Sequence, residues 1–341
     1  MNRIASILLL LIIALGFSIA ARAGNDVVIF KNGDRLTGEV KSLERGRLRF
    51  DSDATGTIPV EWDEVALLTS EQNVQVETES GQRFLGKLLP GAEKFTIVVE
   101  REAGPMTFEM NEVVFMTPIE ERRIDRIDGS FSAGYNFAKA SEVQQVRLGF
   151  DLAARTEKRI VSMNVDAVQS DSEDSEASQR QSLDLQYRRL WPNRWFSGAL
   201  IALNRNDELG LDLTSIGIGG GRYLRQTNSS ILTLGGGVQL SRENVATGVS
   251  NEDTVEGVVA VNWDWFRYDT PELDLSTTLQ IIPNLTESGR VRGEFDVSFK
   301  WEIISDLFWE LSFYDSYDSD PVVDGAEKND YGVATSLGYS F

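Results

Sequence analysis

Along residues 128–341, apolar and polar positions alternate with a period of two. Within 146–154, Val146, Leu148, Phe150 and Leu152 share one face, and Arg147, Gly149, Asp151 and Ala153 share the other. Residues 291–301 set Val291, Gly293, Phe295, Val297, Phe299 and Trp301 against Arg292, Glu294, Asp296, Ser298 and Lys300. Val255, Gly257, Val259, Val261, Trp263 and Trp265 oppose Glu256, Asn262 and Asp264. Leu273, Leu275, Leu279 and Ile281 oppose Asp274, Ser276, Thr278 and Gln280. Successive side chains of a strand point to opposite faces, so each run has one apolar and one polar side. The pattern predicts twelve strands, over 129–137, 143–154, 159–169, 180–190, 194–205, 211–225, 230–242, 254–267, 272–282, 290–302, 307–316 and 331–341. Alternation is weakest in the fifth and sixth, where Gly217, Gly219, Gly220 and Gly221 interrupt it.

A soluble sandwich also alternates, with its apolar faces buried between two sheets. Three details point instead to an all-β transmembrane barrel of twelve antiparallel strands. The strands are about as long as the ~9–11 residues a tilted strand needs to span a bilayer. The apolar faces just named carry no charge, as lipid contact requires, and the opposite faces carry both signs, as suits a polar lumen. The connections form two classes: 170–179, 243–253 and 317–330 are long, whereas Thr156-Glu157-Lys158, Gln226-Thr227-Asn228-Ser229 and Asp269-Thr270-Pro271 are short. Long outside and short in the periplasm is the asymmetry of bacterial barrels. Trp191, Trp195, Trp263, Trp265 and Trp301 are placed to form interfacial girdles. Tyr331, Val333, Thr335, Leu337, Tyr339 and Phe341 share a face that ends on an aromatic residue, so Tyr339 and Phe341 form an expected signal for the barrel-assembly machinery. The expected surroundings are outer-membrane lipid and lipopolysaccharide of a Gram-negative bacterium.

The front of the chain carries a duplication. Residues 27–70 and 75–118 are related by an offset of 48: Gly33, Arg35, Leu36 and Gly38 fall on Gly81, Arg83, Phe84 and Gly86, and Glu61, Glu64, Val65 and Thr69 on Glu109, Glu112, Val113 and Thr117. In the first unit, Val27 to Phe30 meets the turn Asn32-Gly33-Asp34, and four more short strands follow at 36–40, 48–50, 58–61 and 65–68. Five short strands predict a small SH3-like or Sm-like unit, twice over, in a periplasmic domain 24–118. Such modules either bind a periplasmic or cell-wall partner or serve as a spacer or cap beneath the barrel. The charged, non-alternating stretch 119–127 reads as a linker.

Residues 1–23 have the form of an export signal: Arg3, an apolar run over 7–15, and the small-x-small site Ala21-Arg22-Ala23. The net charge of −20, or −22 once Arg3 and Arg22 are removed, argues against nucleic acid, whose phosphates need basic residues. There is no Cys and no His. That excludes disulfides, thiolate nucleophiles, Cys or His zinc sites and a Ser-His-Asp relay.

Three groups of residues resemble a known family. Asp26-Val27-Val28-Ile29-Phe30-Lys31-Asn32-Gly33-Asp34-Arg35-Leu36-Thr37-Gly38 and Glu61-Trp62-Asp63-Glu64-Val65 resemble the first module of the salt- or acid-induced, YdiY-like outer-membrane proteins, built around a domain of unknown function. Asn193-Arg194-Trp195-Phe196, Asp207 to Leu213, Tyr317 to Pro321 and Glu327 to Asp330 are similar to that family's recurring barrel stretches. The resemblance implies an outer-membrane barrel linked to envelope stress, and it brings no catalytic residue and no cofactor.

The reading that follows is a non-enzymatic stress-response barrel, as a narrow or plugged pore. Its lumen would hold a charge lattice of Arg147, Asp151, Asp184, Arg188, Arg292, Glu294, Asp296, Lys300 and Glu310. Two alternatives stand beside it. One is a hydrolase working through carboxylates or a Ser–Lys pair. The other is a divalent-cation-binding surface, using Asp171, Glu173, Asp174 and Glu176 in the third loop and Asp318, Asp320, Asp324, Glu327 and Asp330 in the last.

Overall fold

The computed structural model describes residues 25–119, 127–138, 143–172, 175–206, 211–245, 252–304, 307–320 and 327–339, apart from Asp53, Glu157, Thr270 and 287–288. The expected export signal and Phe341 lie outside the described residues, as does most of the expected linker. The described chain is all-β. None of its helices is long and apolar enough to cross a membrane, which says nothing about strands.

The front domain contains β1 (Asp26–Phe30), β2 (Arg35–Glu44), β3 (Arg47–Ser52), β4 (Gly56–Glu61), β5 (Val65–Thr78), β6 (Arg83–Pro90), β7 (Thr96–Arg101), β8 (Gly104–Glu109) and β9 (Val113–Pro118), with 3-10 turns at Trp62–Glu64 and Met110–Glu112. The offset of 48 holds in three dimensions. Val27↔Thr69 and Val28↔Leu68 between β1 and β5 recur as Gln75↔Thr117 and Val76↔Met116 between β5 and β9. The backbone bonds from Lys31 to Glu64 and from Gly33 to Phe30 recur from Glu79 to Glu112 and from Gly81 to Thr78.

The two units do not stand as separate barrels. β5 closes the first unit and opens the second, and all nine strands form one sheet as a small barrel with extra strands. One hydrophobic cluster, including Val28, Phe50, Leu68, Val76, Ile97 and Met116, fills both halves. The equivalent turns meet at the centre, where the buried Trp62 donates Nε1–H to the Met110 carbonyl at 2.7 Å. A unit of about 45 residues buries too little apolar surface to be comfortable alone, and sharing a core solves that.

The second half is a single antiparallel sheet of twelve strands in sequence order: β10 (Ile127–Ala138), β11 (Val143–Thr156), β12 (Arg159–Ser172), β13 (Ser175–Leu190), β14 (Trp195–Asn206), β15 (Leu211–Gln226), β16 (Ser230–Val245), β17 (Glu252–Arg267), β18 (Leu273–Pro283), β19 (Val291–Ile304), β20 (Leu307–Asp318) and β21 (Asn329–Tyr339). Among the described residues, no backbone pairing joins β10 to β21. The predicted loop 170–179 is strand almost to its tip, with Ser172 paired to Ser175. Its Ser- and Gln-rich flanks lack an apolar face, so they carry no alternation to read.

Register carries the alternation from strand to strand. Leu152, Met163, Leu185, Ile201, Ile216, Leu240 and Val255 are successive partners across seven strands. Trp263, Thr277, Val297, Phe313 and Val333 continue the same face. This face is open: Ile218 is 65% exposed, Val333 66% and Leu337 67%. A one-residue slip would turn each strand over, so the shared register keeps one face apolar through the middle of the sheet.

Trp and Tyr collect toward the two ends of that apolar face, with Phe131, Phe150, Phe295 and Phe313 between them. Trp191, Trp195, Trp263, Trp265, Trp301 and Trp309 all lie toward the short-turn end, while Tyr135, Tyr317 and Tyr331 lie toward the loop end. From Gly293, the partner of Tyr317, to Trp301, β19 advances about 27 Å at ~3.4 Å per residue.

Candidate functional site

The short-turn end of the sheet is where the two halves of the chain meet. Between β2 and β3, Arg45 (φ 52°) and Gly46 (φ 70°) both adopt the left-handed backbone of a tight two-residue hairpin. The hairpin tip reaches the polar face of the sheet. Arg45 Nη2 donates to Asp274 Oδ1 at 2.8 Å and Oδ2 at 2.9 Å, and Nη1 lies 3.5 Å from Asp264 Oδ1. Its guanidinium sits 4.6 Å from the ring centre of Phe266, which is fully buried. Burial disfavours the Arg45 charge, but Tyr268, Asp274 and Asp264 more than offset it and raise its pKa further. Arg47 pairs with Glu272 and lies 3.6 Å over the Tyr268 ring.

Two further turns are engaged. Asn228, between β15 and β16, donates Nδ2–H to the carbonyls of Asn111 (3.1 Å) and Val113 (2.9 Å). It passes so close to Gly46 that a Cβ there would stand 2.4 Å from the Asn228 carbonyl oxygen. Arg83, held by Glu77 at 2.9 Å, donates to the Trp191 carbonyl at 3.3 Å. Gly81 packs against Arg194 in the same β13–β14 turn. These contacts all fall on connections of the short class or on the strand ends beside them. The front domain therefore covers the short-turn end, leaving a cleft of about 700 Å³ lined by Trp62, Phe95, Met110, Asn228 and Tyr268 among others.

All nine residues of the predicted charge lattice lie on the polar face. Ser130, Asp151, Asn164, Asp184, Ala202, Ser215, Ser241 and Thr254 form one register row across eight strands. Asp151 accepts from Ser130 Oγ at 2.9 Å and Asn164 Nδ2 at 2.8 Å. Arg147 pairs with Asp166 at 2.9 Å, and Arg188 donates to the Tyr223 hydroxyl at 3.2 Å. Lys300 is the register partner of both Asp274 and Glu310, and its Nζ lies 4.2 Å over the Phe308 ring. Glu294 and Asp296 stand opposite Ser316 and Tyr314 on the same face.

The strongest knot on this face joins Arg292 to a residue outside the predicted set. Glu256, 4% exposed, receives Arg292 Nη2 at 2.7 Å, Gln239 Nε2 at 2.8 Å and Ser241 Oγ at 2.9 Å. Ser215 and Ser241 extend the network at 3.0 Å. Sequence reasoning placed Glu256 on the polar face without singling it out. It did not single out Arg45, Asp264 or Glu272, because a charge pattern names no distant partner.

Among the described residues of the acidic loops, no three carboxylates converge. Asp318 pairs with Arg290 at 2.8 Å and accepts the Asp320 N–H at 3.1 Å. Glu173, Asp174 and Asp324 lie outside the described residues. Among the described residues, three acidic groups come within 4.8 Å only at Glu61, Asp63 and Asp269. Burial, with Asp63 and Asp269 nearby, raises the Glu61 pKa.

None of the curated proteins compared matches the chain. A family model described as "Protein of unknown function, DUF481" matches residues 131–341, the whole of the twelve-stranded sheet from early β10 onward. With more than half its length matched, this chain belongs to the DUF481 family.

Proposed function

We propose that the chain is a non-enzymatic outer-membrane β-barrel whose periplasmic mouth is closed by its own front domain, making it a plugged pore of the envelope-stress type. One observation carries this reading: the apolar residues of twelve strands share one exposed face, bounded by Trp at one end and Tyr at the other. Exposed apolar surface of this extent marks a lipid or protein contact, and paired aromatic belts favour lipid. Closure of β10 onto β21 would satisfy the remaining backbone groups, as a bilayer demands. The polar face then becomes a lumen narrowed by ion pairs and blocked from the periplasm by the Arg45–Arg47 hairpin. The absence of Cys and His removes the commonest hydrolytic nucleophile–base pairs. The salt- or acid-induced character belongs to the resembling family and is carried here as part of the proposal.

The test is planar-bilayer recording of the refolded full chain beside Arg45→Ala/Arg47→Ala. The wild type should be silent or open rarely, and the double variant should show frequent conductance steps. Large, stable wild-type conductance identical to that of the variant would refute the plug.

A further inference from the structure

The apolar face treats its basic residues differently at its two ends. At the loop end, Arg242 is neutralised by Asp253 at 2.6 Å. At the short-turn end, Arg159 of β12 and Arg189 of β13 are direct register partners, and both are exposed. Among the described residues, neither has a carboxylate partner. Like charges directly opposite across strands repel, so this pairing is unfavourable unless an anion joins it. Aromatic rings frame the pair. Arg189 lies 4.1 Å over Trp191, Arg222 of β15 lies 5.6 Å over Trp195, and Trp191 Nε1–H is fixed on Ser197 Oγ at 2.8 Å. Trp195 and Arg222 are themselves register partners. Glu157, in the β11–β12 turn, lies outside the described residues. This basic cluster is set in a chain of formal charge −20.

We propose that Arg159, Arg189 and Arg222, with Trp191 and Trp195, form a binding surface for the phosphate headgroup of an anionic phospholipid. The surface would lie in the leaflet facing the front domain. Guanidiniums suit phosphate because their planar donors bind its oxygens two at a time, and indole rings favour the interfacial depth where headgroups lie. This inference rests on the membrane reading above.

The experiment reconstitutes the full chain into phosphatidylcholine vesicles, with or without phosphatidylglycerol, and follows Trp quenching by brominated lipids of each headgroup. Brominated phosphatidylcholine should quench wild type and variants alike; no quenching at all would sink the membrane reading itself. Brominated phosphatidylglycerol should be enriched around the wild type. Arg159→Gln/Arg189→Gln should lose that enrichment by about five-fold for each guanidinium removed. Arg242→Gln, at the opposite end, should keep it. Equal quenching by both lipids, or enrichment that survives the double variant, would overturn the headgroup site while leaving the membrane reading intact. Abolition of the preference by modest inorganic phosphate would overturn the lipid assignment in favour of a free-anion site.

Discussion

At the scale of residues, a few charged groups sit where charge is costly. Asp26 is almost fully buried and accepts the Val40 N–H at 2.9 Å and Gln72 Nε2 at 3.0 Å. Burial outweighs these bonds and raises its pKa above the ordinary aspartate value. The folded state then holds the proton more tightly than the unfolded state. That contribution is complete below the unfolded pKa and is lost as pH rises through the folded one. Asp26→Asn, which cannot titrate, should therefore gain stability relative to wild type as pH is raised from roughly 4 to neutrality. Chemical denaturation across that range checks it; a constant difference would contradict it. Arg45 illustrates the opposite balance, a charge held by partners. Arg45→Ala strands Asp264 and Asp274 beside the buried Phe266 and should weaken docking of the front domain by about 2 kcal/mol. Limited proteolysis should detect this as faster cleavage between the front domain and the sheet.

At the scale of elements, most of the sheet was legible because along the middle of most strands one face is apolar and uncharged while the other is polar, the charges of the apolar face (Arg159, Arg189, Arg242) standing toward strand ends. That contrast located all twelve strands, including β14 and β15, where glycines weaken the pattern. It could not mark the full length of β12 and β13, because Ser170, Ser178 and Gln179 carry no apolar face to alternate against. The duplication was legible as well, since turn glycines and the acidic 3-10 turns recur at a constant offset. The sharing of β5 was not, because a continuous strand and two strands separated by a loop read alike over 65–78. Nor were the docking contacts, although a cap beneath the barrel was one of the two readings of the front domain: Arg45 and Asp274 are 229 residues apart, and each looks like any exposed charge. Closure of the sheet is tested at this scale. The chain has no cysteine, so pairs introduced on the polar face report cleanly. One cysteine stepped through Ser130, Ser132 and Gly134, with its mate at Ala334 or Ser336, should give at least one efficient disulfide in lipid. Failure of every pair would leave an open sheet, since a disulfide needs Cβ atoms about 4 Å apart.

At the scale of the molecule, the two halves differ in what stabilises them. The front domain has a closed core of its own, whereas the sheet exposes its apolar face and hydrogen-bonds its polar one. A water-soluble protein would have every reason to do the reverse. The aromatic belts and the capped short-turn end follow one axis, running from the front domain to the acidic loops. The most direct measurement uses single cysteines at Ile216, Leu240 and Val333 on the apolar face, and at Ser215, Ser241 and Ala334 beside them. Each is labelled with an environment-sensitive fluorophore in vesicles containing lipid-borne quencher. The account predicts alternation: labels at 216, 240 and 333 are quenched by lipid, and labels at 215, 241 and 334 are not. Uniform quenching across neighbouring positions, or none at any of them, would contradict it.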